Sequence, residues 1–103
     1  MSPSRHSLLD DALEMSRRMA ELGDAEDWDA VIALEPERRL LLEQAFATHA
    51  PADEFVAERV RAILDLDKRL MARSIAARDR VAEELGRSSR GRKAAGAYHA
   101  ANV

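Results

Sequence analysis

Between Ala52 and Leu85, apolar or small residues recur at Val56, Val60, Ile63, Leu70, Ser74, Ala77 and Val81, in steps of four and three interrupted by Asp67. Leu64, Met71 and Leu85 flank this stripe. The period is that of one helix face, not the alternation of a strand. The stretch holds no Gly or Pro, is rich in Ala, Leu, Arg and Glu, opens on Asp53 and Glu54, and meets Gly86 and Arg87 at its far end. Propensity, caps and macrodipole therefore agree on a single helix ending at Gly86. At about 1.5 Å per residue, roughly 34 residues reach about 50 Å, well beyond an ordinary globular helix. Such a helix needs neighbours.

Two earlier segments supply them. Ser2-Pro3 or Ser4 opens a first helix whose buried side is marked by Leu8, Leu9, Ala12, Leu13, Ser16, Met19, Ala20 and Leu22, up to Gly23. Gly23 to Asp27 is read as a turn, with Asp24 or Asp27 capping the next helix. A turn this short sets neighbouring helices antiparallel. The second helix, from about Ala25 to Thr48, carries Trp28, Val31, Ile32, Leu34, Leu41, Leu42, Ala45 and Phe46 as its apolar positions, with Trp28 as a core anchor. Pro36 removes one main-chain donor and crowds the turn before it, but the period resumes in phase, so a kinked helix is favoured over two short ones. His49-Ala50-Pro51 closes the segment and Asp53 caps the long helix.

After Gly86, the Arg/Ser/Gly stretch to Arg92 reads as a flexible linker and Lys93 to Asn102 as a short Ala-rich helix bearing Tyr98. The expected fold is thus all-α: an antiparallel bundle of three main helices, the third very long, over residues 1–86, and a basic linker with a short mobile C-terminal helix over residues 87–103. Helices of 20 to 24 residues reach only about 30 to 36 Å, so the first two cover the third to about Ile75. Ala77, Val81, Ala82 and Leu85 are then left for the tail to cover, and the cover is weak. Burying Tyr98 and a few alanines yields a few kcal/mol, while ordering each residue costs on the order of 1 kcal/mol. A displaceable flap built on Ala94, Ala97 and Tyr98 follows, over a groove flanked by Leu64, Asp67, Leu70, Met71, Ser74, Arg78, Val81 and Leu85. Asp67 and Arg78, polar within the stripe, either pair at the bundle edge or fix the register of a partner helix.

Composition narrows the chemistry. A chain of 103 residues is one small domain. Its net charge of −3 implies neither nucleic acid nor an acidic substrate. All acids precede Gly86, so residues 1–86 carry −7 and the remainder +4. With only four cations and one aromatic, the tail gives no ground for direct nucleic-acid binding. No cysteine is present, and His6, His49 and His99 lie too far apart to share a helical metal face, so neither metal nor cofactor is expected. No phosphate loop, nucleophile elbow or histidine–acid pair is found, which disfavours an enzyme. No signal peptide or membrane-spanning run is read, and the expected place is the cytoplasm.

The order of short helix, turn, second helix, very long helix, basic linker and tail resembles the FliT family of flagellar export chaperones. The resemblance is carried by Leu8 to Leu42, notably Gly23-Asp24-Ala25-Glu26-Asp27-Trp28-Asp29, Leu34-Glu35 and Arg38-Arg39. It continues in Ile63-Leu64-Asp65-Leu66-Asp67 with Leu70, and in Gly91-Arg92-Lys93-Ala94-Ala95-Gly96-Ala97-Tyr98. It implies a chaperone of type III secretion that binds the C-terminal part of the filament cap protein, FliD, and keeps it unpolymerised. It also implies contacts with export ATPase components and the flagellar master regulator, and a C-terminal helix that folds over the partner site. The alternative reading is a self-associating helical structural or regulatory protein, a homodimer that buries the uncovered end of the long helix.

Overall fold

The computed structural model describes the backbone of residues 3–101 and the side chains of residues 3–96. It contains three helices, α1 (Arg5–Asp24), α2 (Trp28–Ala45) and α3 (Glu54–Ala101), with no strand among the described residues. Two compact units divide the chain, the first ending at Arg73 and the second beginning at Ser74.

Each helix of the first unit starts on a side-chain cap. Ser4 Oγ accepts from the Ser7 N–H at 3.1 Å, Asp27 Oδ1 from Ala30 at 3.3 Å, and Asp53 Oδ1 from Val56 at 2.8 Å. Each cap satisfies a donor that the first helical turn leaves without an intrahelical acceptor. The end of α1 departs from the sequence expectation. Gly23 is still helical, and the left-handed residue that follows the helix is Glu26, at φ 60°. Gly23 serves packing instead: a Cβ there would stand 2.5 Å from Leu70 Cδ1 and 3.4 Å from the Trp28 ring. Pro36 does not split α2, which runs through it as one helix.

The first unit is an up-down-up bundle. Leu8 and Leu9 pack with Ala45 at one end while Gly23 adjoins Trp28 at the other, so α1 and α2 are antiparallel. Asp10 pairs with Arg59 at 2.8 Å and Asp24 with Arg69 and Arg73, so α1 and the start of α3 run in the same direction. The α1 stripe is buried at Leu8, Leu9, Ala12, Leu13, Ser16, Met19 and Ala20. It meets Val56 and Ile63 of α3, with Leu41, Leu42 and Val60 half-buried alongside. From α2 only Val31, Arg38 and Ala45 are fully inside, spaced by sevens on one face. Ile32, placed among the apolar positions of that helix, is 68% exposed.

A charged residue thus occupies the middle core position of α2. Arg38 donates through Nη1 to Ser16 Oγ of α1 at 3.2 Å and to Asp67 of α3, and through Nη2 to Glu35 at 3.0 Å. Its side chain is 11% exposed. The two carboxylates neutralise it where an isolated guanidinium would be expensive to hold.

The second correction concerns the far end of α3. The pattern stops the long helix at Gly86 and sets a linker and a separate helix beyond it. The chain instead stays helical through Gly86 and Gly91 to Ala101. A single glycine costs a helix interior only about 1 kcal/mol, and no proline follows to end it. Ala97 and Tyr98, assigned to the flap, have side chains outside the described residues.

Candidate functional site

The first unit carries an apolar groove of about 460 Å³ where the end of α2 meets the start of α3. Phe46, Ala52, Val56, Ala57, Val60, Arg61 and Leu64 line it. The wall from α3 follows from spacing. Ala57, Val60 and Leu64 are separated by three and four residues and stand on one side of the helix, next to the buried row of Val56 and Ile63. The opposite wall is Phe46, the residue that ends α2, 47% exposed.

The loop between these walls is fastened to the start of α1. Arg5 donates to the Ala50 carbonyl at 3.0 Å and stands over the Phe46 ring, 5.6 Å from its centroid. His6 Nε2 meets Asp53 Oδ2 at 2.8 Å, and its ring stacks on Phe55 with centroids 4.1 Å apart. Arg59 also stands over the Phe55 ring, 4.1 Å from its centroid. Asp53 is held below the usual carboxylate range, first by the Val56 N–H and then by His6. At the other end of the bundle Asp24 is likewise lowered, by the hydrogen bond from Arg69 and then that from Arg73, and the same bond raises Arg69.

The residues proposed from the sequence fall into three settings. Leu64 lines the groove and is 54% exposed, and Met71, seven residues on, is 62% exposed on the same face. Asp67 and Leu70 are engaged inside the bundle, Asp67 with Arg38 and Leu70 against Gly23. Ser74, Arg78, Val81, Leu85 and Ala94 lie in the second unit, and all are exposed. The groove also uses Phe46, Ala52, Ala57 and Arg61, which the sequence reading did not assign to a site. The signal for Ala57 was its place three residues before Val60 and seven before Leu64. Phe46 is among the apolar positions of the second helix in the sequence, and the structure places it at the C-cap of α2, half exposed.

Among the described residues, no group of three or more His, Cys, Asp or Glu side chains is placed to hold a metal ion. No described helix is long and apolar enough to cross a membrane. No curated protein and no solved structure matches the chain. A family model does match, over residues 6–100, and its description is "Flagellar protein FliT". That span takes in α2, the groove between α2 and α3, and all but the first residue of α1 and the last of α3, and the chain belongs to the FliT family of flagellar proteins.

Proposed function

We propose that this protein is a flagellar type III export chaperone in the cytoplasm. Its α2–α3 groove receives an amphipathic helix from the C-terminal part of the filament cap protein and keeps that segment from polymerising. The observation that carries the reading is the groove itself: exposed apolar side chains at Phe46, Ala57 and Leu64, set around the half-buried Val60 and the buried Val56. A helix laid in an apolar groove is a common mode of peptide recognition, with anchors spaced by three and four residues. In the same proposal the residues around Ala94, Ala97 and Tyr98 act as an autoinhibitory flap, which requires α3 to open at Gly86 or Gly91, and export ATPase components and the flagellar master regulator are further partners.

Calorimetric titration of the cap protein's C-terminal segment into the full chain tests this. Leu64→Asp removes an apolar contact and sets a carboxylate in its place, and is expected to weaken binding by roughly 10- to 100-fold with the fold intact. Tyr98→Ser is expected to tighten binding if the flap competes. Equal affinity of the Leu64→Asp and parent chains refutes the groove as the docking site.

A second reading is supported by the second unit. Ile75, Val81 and Leu85 are exposed there, 42%, 56% and 63% respectively, as a self-associating helix would leave them in a single copy. Sedimentation of Leu85→Asp against the parent chain distinguishes it: a shift from dimer to monomer favours self-association, and a monomer in both removes it.

A further inference from the structure

We infer that the groove selects an acidic amphipathic helix, one carrying a carboxylate beside its apolar stripe. The inference rests on the docking proposal above and adds the chemistry of the occupant. Six of the seven lining residues, Phe46, Ala52, Val56, Ala57, Val60 and Leu64, are uncharged, and the seventh is Arg61. Arg61 is exposed and forms no ion pair among the described residues.

Three of the neighbouring charges, Arg59, Asp53 and Arg5, are engaged elsewhere, while Glu54 and Asp65 of the same helix are exposed. Arg59 is held by Asp10 at 2.8 Å and reaches Glu58 at 3.9 Å. Asp53 is taken by the Val56 N–H and His6, and Arg5 by the Ala50 and Pro51 carbonyls. Among its lining residues the groove therefore offers an apolar floor and one cation, Arg61. Along α3 the lining runs from Val56 to Leu64, about 12 Å at helical rise, enough for about two turns of an incoming helix. A carboxylate three or four residues from an apolar anchor on that helix would meet the guanidinium, and the fork of donors on arginine favours a carboxylate over a neutral acceptor. A lysine in the same place would meet like charge.

Two synthetic helical peptides with the same leucine stripe, one flanked by Glu and the other by Lys, test this by titration into the full chain. The Glu peptide is expected to bind about tenfold tighter at low ionic strength, with the difference shrinking as salt screens the pair. Arg61→Glu, at an exposed position that leaves the core untouched, is expected to reverse the preference. Equal affinities for the two peptides overturn the inference while leaving the docking proposal standing. No binding of either peptide, alongside binding of the cap segment that Leu64→Asp does not weaken, overturns both. Self-association of the parent chain in sedimentation that Arg61→Glu abolishes would assign the groove to a second copy, and that too overturns the inference.

Discussion

Removing Asp67 is expected to cost about 2 kcal/mol of stability. Arg38 makes three charge-assisted or polar contacts, to Ser16, Asp67 and Glu35, and its side chain is 11% exposed. Asp67→Ala deletes one charge-assisted bond, worth about 1.5 to 3 kcal/mol where the donor stays buried. Breaking a fully buried pair costs about 3 to 5 kcal/mol. Two features keep this case below that range. Glu35 still neutralises the guanidinium, and the Asp67 side chain is 38% exposed, so water reaches the vacated place. Arg38→Met is the informative counterpart. It fills a similar volume, removes the need to desolvate a charge, and frees Glu35 and Asp67 into partial contact with water, so its cost is expected within about 1 kcal/mol of zero. Arg38 Nε, buried and without a partner, is also removed by that change. Urea unfolding followed by far-ultraviolet circular dichroism gives both numbers, provided the m-value is unchanged between variants. Against a total of about 5 to 15 kcal/mol for an ordinary domain, a loss of 2 is readily measured. The reasoning fails if Asp67→Ala is silent, or if Arg38→Met costs more than Asp67→Ala.

Further outcomes follow from the ends of the bundle. Gly23→Ala sets a Cβ 2.5 Å from Leu70 Cδ1, so the end of that side chain must shift; overpacking of about 1 to 3 kcal/mol set against a helix-propensity gain of about 1 leaves a net loss of about 0 to 2, read as a fall in denaturant midpoint, and Gly23→Ala with Leu70→Ala should not add the two single losses. Asp24 and Asp53 are both lowered in the folded state, so the stability they contribute is present above the carboxylate's unfolded value of 3.8 and is lost as pH falls through and below it. Asp24→Asn and Asp53→Asn chains should lose less stability than the parent between pH 5 and pH 2, and parallel acid profiles would refute the assignment.

Much of the bundle was legible because its apolar residues keep helical period in all three segments. Leu8 to Ala20 names the inner side of α1, and Ser4, Asp27 and Asp53 name the starts. What could not be read has physical causes. Arg38 was invisible as a core residue because a charge signals exposure unless its partners are known, and two of them, Ser16 and Asp67, come from other helices. Gly23 read as a stop because glycine commonly follows helices, yet here the constraint is Leu70, forty-seven residues away in sequence. Gly86 read as a stop for the same reason, without a proline or a left-handed turn to enforce it. Of the groove, Leu64 was found from periodicity. Phe46 and Arg61 were missed because their role depends on where α2 ends relative to α3, which local pattern does not encode.

The parallel course of α1 and the beginning of α3 also bears on the order of assembly. The pairs that join them, His6 with Asp53, Asp10 with Arg59 and Asp24 with Arg69 and Arg73, are separated by 45 to 49 residues. The α1–α2 hairpin closes over a short loop instead, and its residues precede Val56 and Ile63 in the order of synthesis. Closing the longer loop adds only a modest entropic cost, since that cost grows with the logarithm of length. Until it closes, however, Leu9 lacks Val56 and Leu13 lacks Ile63 as packing partners. The hairpin is therefore the early and local part of folding, and docking of α3 is the late step that removes its sticky face from other nascent chains.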